Sequence, residues 1–186
     1  MFMVTLICNP AKGPLNPTLV ENLRSAWGGD TTKWLAISEA VEFQILQRPD
    51  NFESVWNDLQ SAGVDLVVLP TENRVKKMLL ADMDSTMIQQ ECIDELADEA
   101  GVGARVADIT ARAMNGELDF EAALIERVSL LAGLNEVVID QVLQTRITYM
   151  PGGAYLLRTM KGAGGHAALV SGGFTAFTAQ VAATLG

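Results

Sequence analysis

The residues best equipped for chemistry are Asp82-Met83-Asp84-Ser85-Thr86, which directly follow the apolar run Met78-Leu79-Leu80-Ala81. A carboxylate can attack phosphorus to give an acyl-phosphate, and a second carboxyl two positions on can protonate the leaving alkoxide and then activate water. The pair also suits Mg2+, which prefers oxygen ligands and shields a phosphate from an attacking anion. Read alone, the motif is equally a capping device, with Asp84 or Ser85 at the start of a helix from Thr86 and Asp82 a solvated loop residue. A second motif, Ser171-Gly172-Gly173, also lies between an apolar run and a helical stretch. A hydroxyl with successive backbone N–H groups at a helix N-terminus cradles phosphate, and glycine lets the backbone approach closely. Read alone, it is a plain strand-to-helix turn.

Two strands must position these motifs. In open α/β sheets, ligands bind beyond the carboxyl ends of the strands, so carboxylates and a Ser-Gly-Gly turn at two such ends of one sheet would face a common site. The continuous apolar run Met78–Ala81 predicts a strand buried on both faces of a parallel sheet, followed by a helix over Thr86–Ala100. Further helices are predicted over 104–115, 120–132 and 136–145. In the second of these Asp119 is the N-cap, and Phe120, Leu124, Val128 and Leu131 form the apolar stripe. A helix near 154–161, a strand from His166 to Val170 and a final helix after Ser171-Gly172-Gly173 complete this second unit. His166, the sole histidine, reads as structural.

Upstream, the order is strand, helix, strand, strand, helix, strand, over Met3–Cys8, Thr18–Trp27, Lys33–Ile37, Val41–Leu46, Phe52–Leu59 and Val64–Leu69. That order is the split βαβ, or ferredoxin-like, arrangement. The polar stretch Thr71-Glu72-Asn73 after Pro70 reads as a linker, which predicts one domain over 1–72 and a second over 73–186.

Composition narrows the function classes. Of the 186 residues, 49% are hydrophobic and 19% charged, which describes a globular chain rather than a disordered one. Thirteen Lys and Arg against 23 Asp and Glu leave a net charge of −10, which argues against nucleic acid or an anionic membrane surface as partner. Cys8 and Cys92 have neither disulfide-framework nor zinc spacing. The first residues lack a basic signal-peptide start, so the expectation is a reduced, cytoplasmic protein with no membrane span.

Five segments follow in order within residues 76–186: Asp82-Met83-Asp84-Ser85-Thr86-Met87-Ile88, Glu91-Cys92-Ile93-Asp94-Glu95-Leu96-Ala97, Met114-Asn115-Gly116-Glu117-Leu118-Asp119-Phe120, Glu126-Arg127-Val128-Ser129-Leu130-Leu131 and Leu169-Val170-Ser171-Gly172-Gly173-Phe174-Thr175. In these the sequence resembles the phosphoserine phosphatases of the haloacid dehalogenase superfamily. The resemblance implies an α/β fold: a Rossmann-like parallel sheet with a helical cap over about 104–145, behind an N-terminal ferredoxin-like α+β domain of the amino-acid-sensing kind. It implies Mg2+-dependent hydrolysis of O-phosphoserine, the last step of serine biosynthesis, through an aspartyl-phosphate.

Asp82 would be the nucleophile and Asp84 the general acid and then base, both serving the metal. Ser171 and Gly172 would hold phosphate, Glu91 and Arg127 would read the substrate's ammonium and carboxylate, and Met114 and Phe120 would close over it. The chemistry of these types agrees, because Arg forks onto carboxylates and Glu accepts from an ammonium. Outside that context Glu91 reads as a solvated helix face with Glu95 and Asp98, Arg127 as a surface ion-pair residue, and Met114 and Phe120 as core.

The family pattern continues to a Lys after Ser171 and to a Gly-Asp-Gly-x-Asn-Asp loop that completes the Mg2+ site. Here Lys161 precedes Ser171, and no Asp or Glu follows Asp140. The expectation is a C-terminally incomplete catalytic domain with weak metal binding, little turnover and an open sheet edge that favours self-association, a possible homo-oligomer. Rival readings are a non-catalytic truncated form or amino-acid-binding regulatory protein, and a phosphotransferase that passes the phosphoryl group to an acceptor alcohol.

Overall fold

A computed structural model describes residues 1–186 and divides into two compact units, Met1–Val75 and Lys76–Gly186. The sequence-predicted boundary, at 72/73, falls inside the first unit, shortly before this division.

The first unit runs β1 (Phe2–Cys8), α1 (Pro17–Ala26), β2 (Lys33–Ala36), β3 (Ala40–Ile45), α2 (Phe52–Ser61) and β4 (Val64–Pro70). Its sheet has the order β2-β3-β1-β4, with every neighbouring pair antiparallel. Strand alternation places Val4 and Leu6 of β1 opposite Phe43 and Val41 of β3, and these join Leu66, Val20 and Leu59 in one core. Helix α1 starts where Asn16 accepts the Thr18 N–H at 2.8 Å and Pro17 occupies the first turn. On β3, Glu42 is buried, and its carboxylate is compensated by Arg74 at 2.8 Å and Lys33 at 3.6 Å.

The second unit opens with β5 (Met78–Ala81). It continues through α3 (Cys92–Glu99), α4 (Gly103–Met114), α5 (Phe120–Ser129), α6 (Val137–Thr145) and α7 (Gly153–Gly162) to β6 (His166–Leu169) and α8 (Thr175–Leu185). β5 and β6 pair in parallel, Met78 with His166 through Ala81 with Leu169. The Val170 N–H donates to the Ala81 carbonyl at 2.8 Å and extends the ladder to the threshold of both motifs. Met83, Ile88, Cys92, Leu96, Val142, Phe177 and Val181 form the main core beneath those strand ends. As the sequence predicts, Asp119 caps α5, accepting the Ala122 N–H at 2.8 Å.

Two expectations are corrected. The run Met78–Ala81 is a strand, but not one buried on both faces: Met78 is 61% and Leu80 64% exposed. β5 has β6 as its one hydrogen-bonded neighbour, and only the Leu79 and Ala81 side packs, against Met87, Leu157 and Leu169. Nor does a helix start at Thr86. The Met83 carbonyl accepts the N–H groups of Thr86, Met87 and Ile88, and Ser85 takes a left-handed φ of 52°. Ile88 then forms a β-bridge to Tyr149, so the helix begins at Cys92. Local periodicity could not reveal a loop whose hydrogen bonds go to a segment some sixty residues away.

Helix α3 is acidic along one side. Arg146, just past α6, bridges Glu95 at 3.2 Å and Asp98 at 3.9 Å and also pairs with Glu99. Its hydrogen bonds to Glu95 and then Glu99 raise the Arg146 pKa further. Asp94 lies outside this bridge; partial burial, and then the nearby Glu91 charge, push its pKa above the ordinary aspartate range, with Arg127 acting in the opposite direction.

Two predictions follow from this packing. Phe177 of α8 is fully buried against Met83, Ile88 and Cys92 of the segment that carries the carboxylates, so Phe177→Ala should cost the second unit about 3–5 kcal/mol. A urea midpoint equal to wild type would contradict this. A raised folded-state pKa means that folding disfavours ionised Asp94. That penalty is absent below the unfolded carboxylate pKa and appears as pH rises through the folded one. Asp94→Asn should therefore raise Tm at neutral pH and leave it unchanged near about pH 3; an unchanged Tm at neutral pH would count against the assignment.

Candidate active site

A cavity of about 380 Å³ opens at the carboxyl ends of β5 and β6. Its polar lining is Asp82, Asp84, Glu91, Arg127 and Ser171, with Gly172 and Gly173 presenting backbone. Seven of the eight residues singled out from the sequence thus meet at one place: Asp82, Asp84, Glu91, Phe120, Arg127, Ser171 and Gly172. Met114 does not. It ends α4, is 84% exposed and is absent from the cavity lining.

Each polar group is held by its own local structure. Asp82 Oδ1 accepts the Met83 N–H at 2.8 Å, and Met83 is fully buried, so the backbone between the two carboxylates is anchored in the core. Asp84 Oδ1 accepts the Cys92 N–H at 3.2 Å, which makes Asp84 a cap for α3 from eight residues upstream. Ser85 Oγ donates to Glu91 Oε1 at 2.6 Å. The Ser171 hydroxyl oxygen accepts the Gly173 N–H at 2.9 Å, which curls the turn that opens α8.

Arg127 Nε donates to the Ala123 carbonyl at 3.3 Å, and its Nη1 lies 3.5 Å from Thr110 Oγ1. Its guanidinium has no carboxylate within ion-pairing distance, unlike Arg112 and Arg146 on neighbouring helices. A partly covered guanidinium facing a cavity without a counter-ion is suited to an anionic ligand group.

The sequence reading missed part of the wall. Ile93, Leu124, Val128 and Phe174 supply apolar lining beside Phe120. Leu124 and Val128 were visible only as a helix stripe, which gives no sign of whether it faces a core or a cavity. Gly173 also has a role of its own. A Cβ there would stand 3.1 Å from Asp84 Oδ2, 3.1 Å from Ser171 Oγ and 3.2 Å from Met83 Cε. The second glycine of the motif was the available signal: it lets the β6 turn approach the β5 carboxylate. At Gly172 the same construction meets the Phe120 ring at 3.7 Å.

The chemistry of the lining is constrained. Cys92 reaches the cavity, but burial, and then its hydrogen bond to Asp84, push its thiol well above the usual range. A thiol so disfavoured as thiolate is a poor nucleophile, so the nucleophilic candidates in the lining are the carboxylates and the Ser171 hydroxyl. Three carboxylates against one guanidinium would repel a phosphate dianion unless a cation intervened. Asp82 and Asp84 offer the hard oxygens that a Mg2+-type ion takes, yet no three acidic, His or Cys side chains stand close enough together to hold a metal ion among them. The donor set therefore fits a cation held by one or two carboxylates and completed by water and substrate oxygens. No helix is long and apolar enough to cross a membrane.

Comparison with known proteins agrees with this geometry. The family model for haloacid dehalogenase-like hydrolases matches residues 79–186. A phosphoserine phosphatase of Archaeoglobus fulgidus is 46% identical over 131 residues, which is 69% of this chain and 38% of that protein. Among solved structures, a haloacid dehalogenase family hydrolase of Salmonella enterica serovar Typhi superposes over 99% of this chain and 65% of its own, with a TM-score of 0.82 and 26% identity. A phosphoserine phosphatase solved as a phospho-aspartyl intermediate analogue matches 59% of this chain and 52% of its own, with a TM-score of 0.54 and 41% identity. The chain spans about a third to a half of the length of the curated relatives it matches. With β5 and β6 delivering Asp82, Asp84 and Ser171 to one cavity, and with more than half its length matched by the family model, the chain belongs to the haloacid dehalogenase-like hydrolases.

Proposed function

We propose that the site hydrolyses O-phosphoserine to serine and phosphate. The observation that carries the reading is the meeting, in one cavity, of two carboxylates and a Ser-Gly-Gly turn with one further carboxylate and one guanidinium free of ion pairs. The first set handles a phosphate, and the second matches the opposite charges of an amino acid. The phosphoserine phosphatases among the relatives support the same substrate.

An Asp82 oxygen attacks phosphorus, forming the O–P bond of an aspartyl-phosphate as the serine oxygen leaves. Asp84, two residues on, gives its proton to that leaving oxygen. Ser171 and the backbone of Gly172 hold the phosphate oxygens. Glu91 accepts from the substrate ammonium, Arg127 donates to its carboxylate, and Phe120 excludes water from the mouth of the cavity. Asp84 then takes a proton from water, whose oxygen attacks phosphorus and restores Asp82. Mg2+, bound through the Asp82 carboxylate and the Asp84 backbone carbonyl, would offset the negative charge brought together by Asp82 and the phosphate. Met114, exposed at the end of α4, would reach the substrate only through movement of the 104–145 region.

The same reading places the enzyme at the last step of serine biosynthesis in the cytoplasm, where the free, buried Cys8 and Cys92 would stay reduced. It takes the first unit as a ferredoxin-like domain, supported by its element order and its β2-β3-β1-β4 sheet. The net charge of −10 disfavours nucleic acid and anionic membranes as partners. Exposed Met78, Leu80 and Val170 favour self-association.

Two outcomes test this proposal. The chain should release phosphate from O-phospho-L-serine in a Mg2+-dependent way, at the low rate expected where only Asp82 and Asp84 serve the metal, and Asp82→Asn should abolish that release at unchanged Tm. Asp82→Asn turning over at the wild-type rate would remove the nucleophile from the mechanism. Transfer of the phosphoryl group to an added alcohol at the expense of water would reassign the site to a phosphotransferase.

A further inference from the structure

The loop between the two acidic functions is cross-linked in a way that the catalytic roles do not require. Three hydrogen bonds span residues 84–92: Cys92 N–H to Asp84 Oδ1 at 3.2 Å, Ser85 N–H to the Gln90 carbonyl at 3.1 Å, and Ser85 Oγ to Glu91 Oε1 at 2.6 Å. Gln90 is itself clamped, donating to Thr148 Oγ1 at 2.8 Å and accepting the Thr148 N–H at 2.9 Å. Ser85 achieves its bond at a φ of 52°, and it is the one non-glycine residue of the second unit in the left-handed region. Non-glycine residues hold that conformation where surrounding contacts impose it. Glu91, in contrast, is an exposed side chain with several free torsions, and no cation pairs with it. Its carboxylate would otherwise sample many directions, at an entropic cost to any ligand that must immobilise it.

We propose that Ser85 is a positioning residue for amine recognition: its hydroxyl fixes the Glu91 carboxylate in the orientation that accepts the substrate ammonium. The inference rests on the reading of Glu91 as the ammonium acceptor. Ser85 donates to Oε1, which leaves Oε2 and the remaining lone pairs of Oε1 directed by a loop that also carries Asp84. Selectivity for an amino-acid phosphate is thereby built into the loop that performs the acid–base chemistry. The left-handed turn at residue 85 brings its hydroxyl back over residue 91.

The test compares O-phospho-L-serine with 3-phosphonooxypropanoate, which keeps the phosphate and carboxylate and lacks the ammonium. Both are titrated calorimetrically with Mg2+ present, using the full chain in an Asp82→Asn background that prevents turnover. In that background the amino ligand should bind more tightly. Ser85→Gly, which tolerates the positive φ and so keeps the loop, should reduce the preference about ten-fold while leaving the affinity for 3-phosphonooxypropanoate unchanged. Ser85→Ala should do the same, and adding Ser85→Gly to Glu91→Gln should change nothing further.

A preference retained in Ser85→Gly would overturn the positioning role alone, and an equal loss of affinity for both ligands would make Ser85 a loop-shape residue instead. Absence of any preference in the Asp82→Asn background would overturn the phosphoserine reading and this inference with it.

Discussion

The parallel pairing of β5 with β6 is the interaction on which the candidate site depends. Asp82 and Ser171 are far apart along the chain, and neither has a strong preference to meet the other. Four paired positions, from Met78 with His166 to Ala81 with Leu169, and the Val170 N–H on the Ala81 carbonyl bring them together. Both strands point the same way, so their carboxyl ends open on one side, and the helices α3 and α8 that follow start there as well. A parallel pair requires a long crossover, and here it contains the whole of α3–α7. Glu91 and Arg127 belong to that crossover, so the ladder that sets Asp82 beside Ser171 also returns the crossover to the same cavity.

Close approach is the second requirement. The β6 turn can approach Asp84 because Gly173 has no side chain, and the space between Asp84 and Ser171 would be partly filled by even one methyl group. The loop after β5 is not free to relax away, since Met83 is sealed in the core and Gln89 and Gln90 are fastened to Thr148 and Tyr149. Three carboxylates are thus held in one cavity despite their mutual repulsion. Burial of Met83, Ile88 and Cys92, together with the hydrogen bonds of the loop, offsets that cost. An arrangement of like charges maintained by packing is a common signature of a site that binds a cation or does acid–base work.

Much of this was readable in the residues. The element order of both units, the Asp119 cap, the strand on either side of the crossover and the Asp82, Asp84 and Ser171-Gly172 motifs follow from periodicity, caps and motif spacing, while Glu91, Phe120 and Arg127 became candidates only through the family resemblance. What failed did so for tertiary reasons. The apolar run Met78–Ala81 has the composition of a doubly covered strand, but cover depends on neighbours, and only one side of β5 has them. The helical periodicity from Thr86 lost to a loop whose hydrogen-bond partners lie near residue 149. Met114 sits at the end of α4 rather than in the cavity, because a helix end may be placed by sequence while the direction it faces is set by packing.

Apart from Glu91 and Arg127, which the family resemblance supplied, residue types and spacing determined the chemistry available here: carboxylates two apart after an apolar strand and a Ser-Gly-Gly turn after another. These are local properties, set by side-chain pKa, hydrogen-bonding capacity and backbone freedom, and they need no partner to exist. Tertiary structure alone decided which of them share a cavity, which apolar residues line it, and that Ser85 reaches Glu91 through a left-handed turn. Those outcomes depend on distances between segments that are remote in sequence, and only the register of the β5–β6 ladder and the packing of the crossover set such distances.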